Sequence, residues 1–499
     1  MLADYLQGLR LFLDPAVLLL IATAVPVGLL LGVLPGMSGL TALALLLPFV
    51  FGMDPMAGLA FLLAAHAVVY TGGALTTILL GIPGSPPNAA TLADGYAMSR
   101  AGRTGRALGA AFASSGLGGC VGVVALAGLL PFLQTIVLTI GSPETFFLAL
   151  MGVVYIAVLG QGNLTKGLIA GGLGIFLAMI GEQRITAVPR FWLGFDYLLD
   201  GIKIVPLVLG LFAIPEILDL ARGRALALQG SAQRPRWAEI RQGMIDVLRH
   251  KLLFLRSSVI GVVVGIIPGI GGDTAPFLAY ASAKQASARP ERFGSGIVEG
   301  VIAPESSNNA KEGGALVTTL GLGIPGSAGM SVLIGGFLVL GLEPGPDFLA
   351  EHMDIAVGLA IVLAVANLLA VIVMLLLSQF LMRIVEVPGT ILAPVLLSLV
   401  VLGAYGYQNN PMDVVFVFVF AVLGCVMRAL DYSRPALLLG FVLAPLLETY
   451  LHISLRAYGL DFLFRPGAVF IAALIVAGLL WPLIHRKRNG QGRNGSAQR

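Results

Sequence analysis

Charge is the scarcest ingredient of this sequence: Asp, Glu, Lys and Arg make up 11% of its 499 residues. An ordinary soluble domain carries more than twice that share, so a water-soluble core under a charged surface is excluded as the organising plan. Cysteine is almost missing too. Cys120 and Cys425 each lie in an apolar stretch with no partner spacing, which leaves neither a disulfide framework nor a metal site and reads as two small buried thiols. The N-terminus lacks the basic, apolar and small-residue pattern of a cleaved secretory signal and is expected to be retained. No GxxxxGK(S/T) phosphate loop occurs, and the ten-residue alternation of an outer-membrane barrel is missing.

Hydrophobic residues are abundant at 57%. Apolar runs recur from Ala16 almost to Ile484, and at roughly 20 residues per span they leave room for about 12 transmembrane helices plus re-entrant hairpins. The expected fold class is an all-α polytopic membrane protein. The 65 glycines suit close helix packing in lipid and backbone that must bend. Eight basic residues lie between Arg222 and Arg256 against only Glu239 and Asp246, and Arg486, Lys487, Arg488, Arg493 and Arg499 close the chain. Such clusters beside membrane spans mark cytoplasmic loops rather than nucleic-acid binding.

The chain repeats itself. GVLPGMSGLTA at 32–42 matches GIIPGIGGDTA at 265–275, and TTILLGIPGS at 76–85 matches TTLGLGIPGS at 318–327, in the same order at offsets of 233 and 242 residues. Proline and glycine alone would kink a helix, but they would not preserve the flanking Thr-Thr and Ser. Loop charge orients the halves. After its first break the first half meets Asp54 and the second half meets Lys284, Arg289 and Arg292. After the second break the signs swap, with Arg100, Arg103 and Arg106 against Glu343, Asp347, Glu351 and Asp354. Positive residues stay inside, so two inverted-topology repeats are expected. Only 27 residues separate Arg256 from Lys284, too few for two spans, so the PGIGG segment between them should be a re-entrant hairpin. The boundaries that follow are a membrane repeat over 1–220, a basic cytoplasmic linker over 221–256, a second membrane repeat over 257–484 and a basic cytoplasmic tail over 485–499.

Broken helices at the meeting point of inverted repeats are where secondary transporters bind substrate, and half-helix N-termini favour an anion such as a carboxylate. Thr76, Thr77, Gly81, Pro83, Gly84, Ser85 and Asn88 of the first half, with Thr318, Thr319, Pro325, Gly326 and Ser327 of the second, form the candidate substrate cradle. Any single hydroxyl among them would more often bond back to its own helix. Pro35, Gly36, Ser38, Gly269, Gly271, Asp273, Asn308 and Asn309 are the candidate cation-binding set, an oxygen cage for Na+. Asp273 and Glu305 serve equally as proton carriers. Against this stands a plainer reading, weighted evenly, in which Glu305, Lys311 and Glu312 form a local ion pair near the membrane interface. An intramembrane aspartyl protease built on Asp273 is the alternative of another class, although no second buried acid stands out to share a proton with it. A passive channel is the third.

The segments LPGMSG with LLPFVFGMDP, GGALTTILLGIPGSPPNAATLADGYAM with RAGRTGRALG, IPGIGGDTAPFLAYASAK, EGVIAPESSNNAKEGGAL and LGIPGSAGMSVLIGGFLVLGLEPGP resemble the TctA family, the large permease subunits of tripartite tricarboxylate transporters. The resemblance spans both halves and is thinnest around the basic linker. It implies uptake of tricarboxylates or related organic acids across a bacterial inner membrane, driven by a Na+ or H+ gradient, with no other cofactor. It also implies a small TctB-like membrane subunit, a periplasmic TctC-like solute-binding protein and elevator-type alternating access. Two places depart from the family's usual pattern: GIPGS at 81–85, where Asn often precedes Pro-Gly, and Lys311-Glu312, where small residues are usual.

Overall fold

The computed structural model describes residues 2–34, 37–137, 140–159, 164–183, 185–222, 236–267, 272–385, 388–477 and 479. Helix is almost the whole of it. In chain order the first helices are α1 (Leu2–Phe12), α2 (Pro15–Val33), α3 (Gly39–Leu46), α4 (Pro55–Leu80), α5 (Ala89–Arg100) and α6 (Thr104–Val137). After α7 (Ser142–Leu159) and α8 (Leu164–Ala178) comes a two-residue antiparallel ribbon, β1 (Gly181–Glu182) with β2 (Pro189–Arg190), then α9 (Asp196–Leu199). Helix α10 (Ile204–Val208) runs through a π turn, Leu209–Ala213, into α11 (Ile214–Arg222). The second half holds α12 (Trp237–Arg249), α13 (Lys251–Ile266), α14 (Ala275–Gln285), α15 (Glu299–Leu322), α16 (Ala328–Val339), α17 (Pro346–Glu351) and α18 (Met353–Val385). Helices α19 (Gly389–Gln408), α20 (Pro411–Ala429) and α21 (Arg434–Tyr458) follow. Among the described residues eight helical segments are long and apolar enough to cross a membrane, with five shorter apolar helices beside them.

The chain packs into two compact units. The larger takes Met1–Thr135, Lys203–Ile267 and Gly271–Val426, and the smaller draws chiefly on Ile136–Ile202 and Met427–Arg499. In the smaller unit α21 packs on α7 and α8 through Gly440 and Gly174, whose β positions would run into the carbonyls of Gly171 and Leu437. Arg190 of the ribbon reaches Glu448 of α21 through two bonds of 2.7 and 3.0 Å, joined by Gln183 at 3.0 Å.

The larger unit carries the repeated segments, and the repeat extends to packing. Gly28 and Gly32 of α2 lie against the carbonyls of Ala65 and Val69 on α4, and Gly72 of α4 lies against Leu29. At the same two offsets, Gly261 and Gly265 of α13 lie against the carbonyls of Ser307 and Lys311 on α15, and Gly314 lies against Val262. In each pair a side chain on the glycine would meet rigid backbone, so only glycine lets the axes approach this closely. The outer helices follow suit. Gly8 brings α1 onto α18, its β position 2.7 Å from the Asp354 carbonyl, and Gly243 brings α12 onto the Arg106 carbonyl of α6. Arg106 closes that second contact with Asp246 at 2.5 Å.

Local chemistry explains where the helices stop. Asp54 caps α4 by accepting from the amides of Met56 and Ala57 at 3.0 and 3.3 Å, with Pro55 in the first turn, where a missing N–H costs nothing. Helix α4 ends at Gly81 (φ 69°, ψ 23°) and α15 ends at Gly323 (φ 67°, ψ 16°), left-handed positions that suit glycine. Pro83 and Pro325 follow, so neither helix can resume. Helices α13 and α14 form a hairpin: the arms pack on each other and on α15, and Arg256 donates to the Ser282 carbonyl at 3.3 Å between their outer ends. The two arms of the predicted hairpin therefore pack together, and residues 268–271 between them lie outside the described residues. Within the basic linker residues 221–222 and 236–256 are described, and the basic tail lies outside the described residues.

Candidate functional site

The site is built around α4 and α15, which lie almost wholly inside the larger unit. At their ends the two GIPGS segments adopt one conformation. Ser85 has φ −143° and ψ 164°, Ser327 has φ −146° and ψ 166°, and each opens a short helical stretch. Behind them the threonines repeat as well. Thr76 and Thr77 donate to the Gly73 carbonyl at 3.1 and 2.7 Å, and Thr318 and Thr319 donate to the Ala315 carbonyl at 3.2 and 2.7 Å. All four hydroxyl protons are thus spent on helix carbonyls, and what the threonines can still offer is lone pairs. Thr77 uses one to take the Gly84 amide at 3.3 Å.

Gly84 and Gly326 are wedged between elements. The β position of Gly84 would lie 2.9 Å from the Gly32 carbonyl, and that of Gly326 would lie 2.6 Å from the Gly265 carbonyl. Each GIPGS break therefore seats on the glycine that holds its own preceding helix pair together. The serines differ in detail. Ser327 caps α16 by accepting from the Met330 amide at 3.3 Å, whereas Ser85 donates to Asn88 Oδ1 at 2.6 Å, and Asn88 in turn donates to the Tyr70 carbonyl at 3.0 Å.

The candidate cation set separates into different neighbourhoods. Pro35, Gly36, Gly269 and Gly271 lie outside the described residues. Ser38 caps α3 through the Thr41 amide at 3.3 Å. Asn309 donates to Thr71 at 3.1 Å and to Asn367 at 2.6 Å, tying α15 to α4 and α18. Asn308 is buried, and neither its amide nitrogen nor its carbonyl oxygen has a partner among the described residues. Asp273 turns to Lys311, whose ammonium sits 3.1 Å from its Oδ1. No group of three or more His, Cys, Asp or Glu side chains among the described residues could hold a metal ion.

Sequence reasoning allowed Glu305, Lys311 and Glu312 to form an ion pair near the membrane interface. All three are fully buried; Lys311 and Glu312 do pair, at 3.7 Å, and Glu305 stands apart from them. Its carboxyl accepts from Thr91 Oγ1 at 2.6 Å and from Ser115 Oγ at 3.0 Å. Lys311 lies between Asp273 at 3.1 Å, Glu312 at 3.7 Å and the face of the Tyr70 ring at 4.1 Å. Glu312 is held from the other side by His66 Nε2 at 3.2 Å, and His66 Nδ1 lies 3.3 Å from the Gly39 carbonyl at the start of α3. The charge cluster thus runs from one broken segment to the other. Sequence reasoning missed His66 and Tyr70, and the available signal was a histidine and a tyrosine one turn apart in an otherwise apolar helix.

A second structural pin was also missed. Asp94 of α5 is fully buried and accepts from the amides of Gly294, Gly296 and Ile297 at 2.8–3.0 Å and from the Tyr280 hydroxyl at 2.8 Å. One carboxylate of the first half thereby fixes the turn that leads into α15.

Long apolar helices, two matched breaks and uncompensated polar groups at the centre of a helical bundle define a multi-pass membrane transport protein. The chain matches the tripartite tricarboxylate transporter TctA family over residues 18–439 and belongs to it. It is the large membrane subunit of such a transporter and not an enzyme, which removes the aspartyl-protease alternative. An Agrobacterium vitis protein described as "Uncharacterized 52.8 kDa protein in TAR-I ttuC' 3'region" is 33% identical over 495 residues, covering 97% of each chain. A second, "Uncharacterized protein in TAR-II ttuC' 3'region" of the same organism, is 34% identical over 236 residues, 46% of this chain and 97% of its own. No solved structure matches.

Proposed function

We propose that this subunit takes up a carboxylate across a bacterial inner membrane by alternating access of elevator type, driven by a Na+ or H+ gradient, and that its repeats are inverted in the membrane. Its partners are a small TctB-like membrane subunit and a periplasmic TctC-like binding protein. The observation that carries this reading is the pairing of the two GIPGS breaks, equal in backbone angles and equal in the glycine each one seats on. Duplicated breaks support a substrate site, because non-helical backbone at membrane depth is tolerated only where it is buried in protein or lines a water-filled cavity, the setting in which transporters of repeated design bind substrate. Half-helix N-termini at Ser38 and Ser327 favour an anion. The hairpin α13–α14 is re-entrant in this reading, and the linker and tail are cytoplasmic. Cysteine labelling from each side of the membrane tests the topology, and labelling of residues near 240 and near 285 from opposite sides would overturn it.

Uptake of labelled carboxylates by cells expressing all three subunits, with and without the binding protein, tests the activity. Alanine at Ser85 or Ser327 is expected to weaken the half-saturation concentration by about fivefold to tenfold, the effect of one lost hydrogen bond of ~1 kcal/mol. An unchanged half-saturation in both would remove the cradle.

Glu305 is the carboxyl best suited to the driving proton, since it is fully buried, accepts from two hydroxyls and pairs with no basic side chain among the described residues. Glutamine keeps the shape and one acceptor oxygen, and the hydroxyls can rotate to meet its amide. Glu305→Gln is expected to stop gradient-driven accumulation while leaving exchange of labelled for unlabelled substrate intact. Undiminished accumulation would remove Glu305 as the coupling carboxyl and leave Asp273 as the candidate.

A further inference from the structure

The charge cluster between the two broken segments is centred on a cation. Lys311 is fully buried and meets two carboxylates of very different standing. Glu312 is its neighbour on α15, is itself fully buried and has His66 as a second partner, so it is a fixed part of the site. Asp273 sits on the short turn Gly272–Thr274 that opens α14, and 41% of its side chain is exposed. Water can therefore replace Lys311 as the partner of Asp273 at small cost, the ordinary behaviour of an exposed ion pair. Lys311 has no such freedom. Without Asp273 its ammonium keeps, among the described residues, Glu312 and the Tyr70 face, and a buried charge short of partners is costly.

A site for an exchangeable anion lies where these elements meet. The β position of Gly272 would be 3.0 Å from Lys311 Cδ and 3.6 Å from Ser327 Cβ, so the Asp273 turn, the Lys311 stem and the capped start of α16 converge. One helical turn before Lys311 stands Asn308, buried with both its amide nitrogen and its carbonyl oxygen unpartnered among the described residues. The same offset of 242 residues places Asn308 at the position His66 occupies in α4, and His66 faces the first broken segment through Gly39. By that correspondence Asn308 faces the second. An ammonium with a removable partner, an unpartnered amide and a helix N-terminus together suit a carboxylate group.

We infer that Lys311 is the anchor for a substrate carboxylate and that Asp273 is its internal stand-in, holding Lys311 in the empty carrier and displaced when substrate arrives. The inference rests on the carboxylate-uptake reading and names the residue that selects the anion. It has a consequence for coupling. Once displaced, Asp273 is an unpaired carboxylate beside a bound anion, which creates a place for a cation besides the proton on Glu305 only after substrate has entered. Substrate and cation then bind in order, with Asp273 linking the two events.

The experiment uses the complete three-subunit transporter in proteoliposomes with labelled acetate, succinate and citrate. Asp273→Asn keeps the shape of the turn and leaves Lys311 its contacts with Glu312 and Tyr70. If the stand-in occupies Lys311 about nine-tenths of the time, its removal tightens the half-saturation for the accepted carboxylate on the order of tenfold. The same variant loses the share of gradient dependence that a cation at Asp273 supplies, while the proton on Glu305 keeps its own. Asp273→Ser removes the charge differently and should show the same tightening, should the asparagine variant insert poorly. Lys311→Gln should lose uptake at least a hundredfold while Lys311→Arg recovers part of it. If the wild type accepts one of the three acids and both Asp273 variants leave half-saturation unchanged or weaker, the inference falls alone. Wild-type affinity in a normally inserted Lys311→Gln would sink it equally. Failure of the wild-type assembly to take up any of the three acids would overturn the carboxylate reading and the inference with it.

Discussion

Valine in place of Gly32 or of Gly265 is expected to abolish uptake and to cost about 3 kcal/mol or more of stability, at the upper end of what overpacking a core produces. At both positions the added Cβ would enter the carbonyl of the facing helix, Val69 in one half and Lys311 in the other. A side-chain neighbour could turn aside, but a helix backbone cannot, so α2 must separate from α4, or α13 from α15. Each separation also unseats a break, because Gly84 and Gly326 rest on the carbonyls of these same glycines. The two variants should fail alike, in yield of monodisperse detergent-solubilised protein, in Tm and in uptake. Gly128→Ala is the control: nothing lies within 4 Å of its β position, and alanine in an open helical site should be neutral or stabilising by about 0.5–1 kcal/mol. A Gly265→Val protein with an unchanged Tm would show that the helix pair tolerates a wider spacing and that its glycines serve some other end.

Asp94→Ala is the second large effect. Its carboxylate is the shared acceptor for three backbone amides and the Tyr280 hydroxyl, all within 3.0 Å. Alanine leaves these donors without their acceptor around a fully buried position, and each unmet buried donor costs about 1–3 kcal/mol unless water enters. The expected loss is about 3–5 kcal/mol, the scale of removing one partner from a buried charged network. The turn at 294–297 would lose its anchor, and with it the placement of the start of α15. Arg103 donates to the Gly296 carbonyl at 2.9 Å and should leave the turn partly ordered, so Asp94→Ala combined with Arg103→Ala is expected to lose more than either alone. Asp94→Asn, which keeps one acceptor oxygen and adds a donor where only acceptors fit, should fall between. A fall in Tm with normal membrane insertion is the measurement, and an unaltered Tm for Asp94→Ala would show the turn to be held by other means.

The local punctuation of the chain was legible because its causes are local. Gly-Pro pairs stop helices wherever they stand, and both GIPGS segments do so with the same left-handed glycine. That two short helices, α13 and α14, would pack on each other followed from a count of residues between basic loops, since hydrocarbon thickness sets a minimum length for two spans. The predicted threonine cradle was less complete: the Thr residues lie at the breaks, yet their hydroxyl protons go to carbonyls three and four residues back, as isolated helix threonines commonly do. Of the proposed oxygen cage, Asp273 went to Lys311 and Asn309 to Asn367. These outcomes depend on which helix faces which, and periodicity along one helix carries no information about the residues opposite it.

By itself, then, the sequence determined that this is a membrane-embedded helical protein with paired breaks of matching sequence, because hydropathy, glycine and proline act over short stretches of chain. Only the tertiary structure decided that His66 and Glu312, 246 residues apart, share a hydrogen bond, that Asp94 holds a turn 200 residues away, and that Lys311 lies between a buried and an exposed carboxylate. The reason is physical: a buried charge is defined by the partners that surround it in space, and those partners come from helices brought together by glycine packing across both halves.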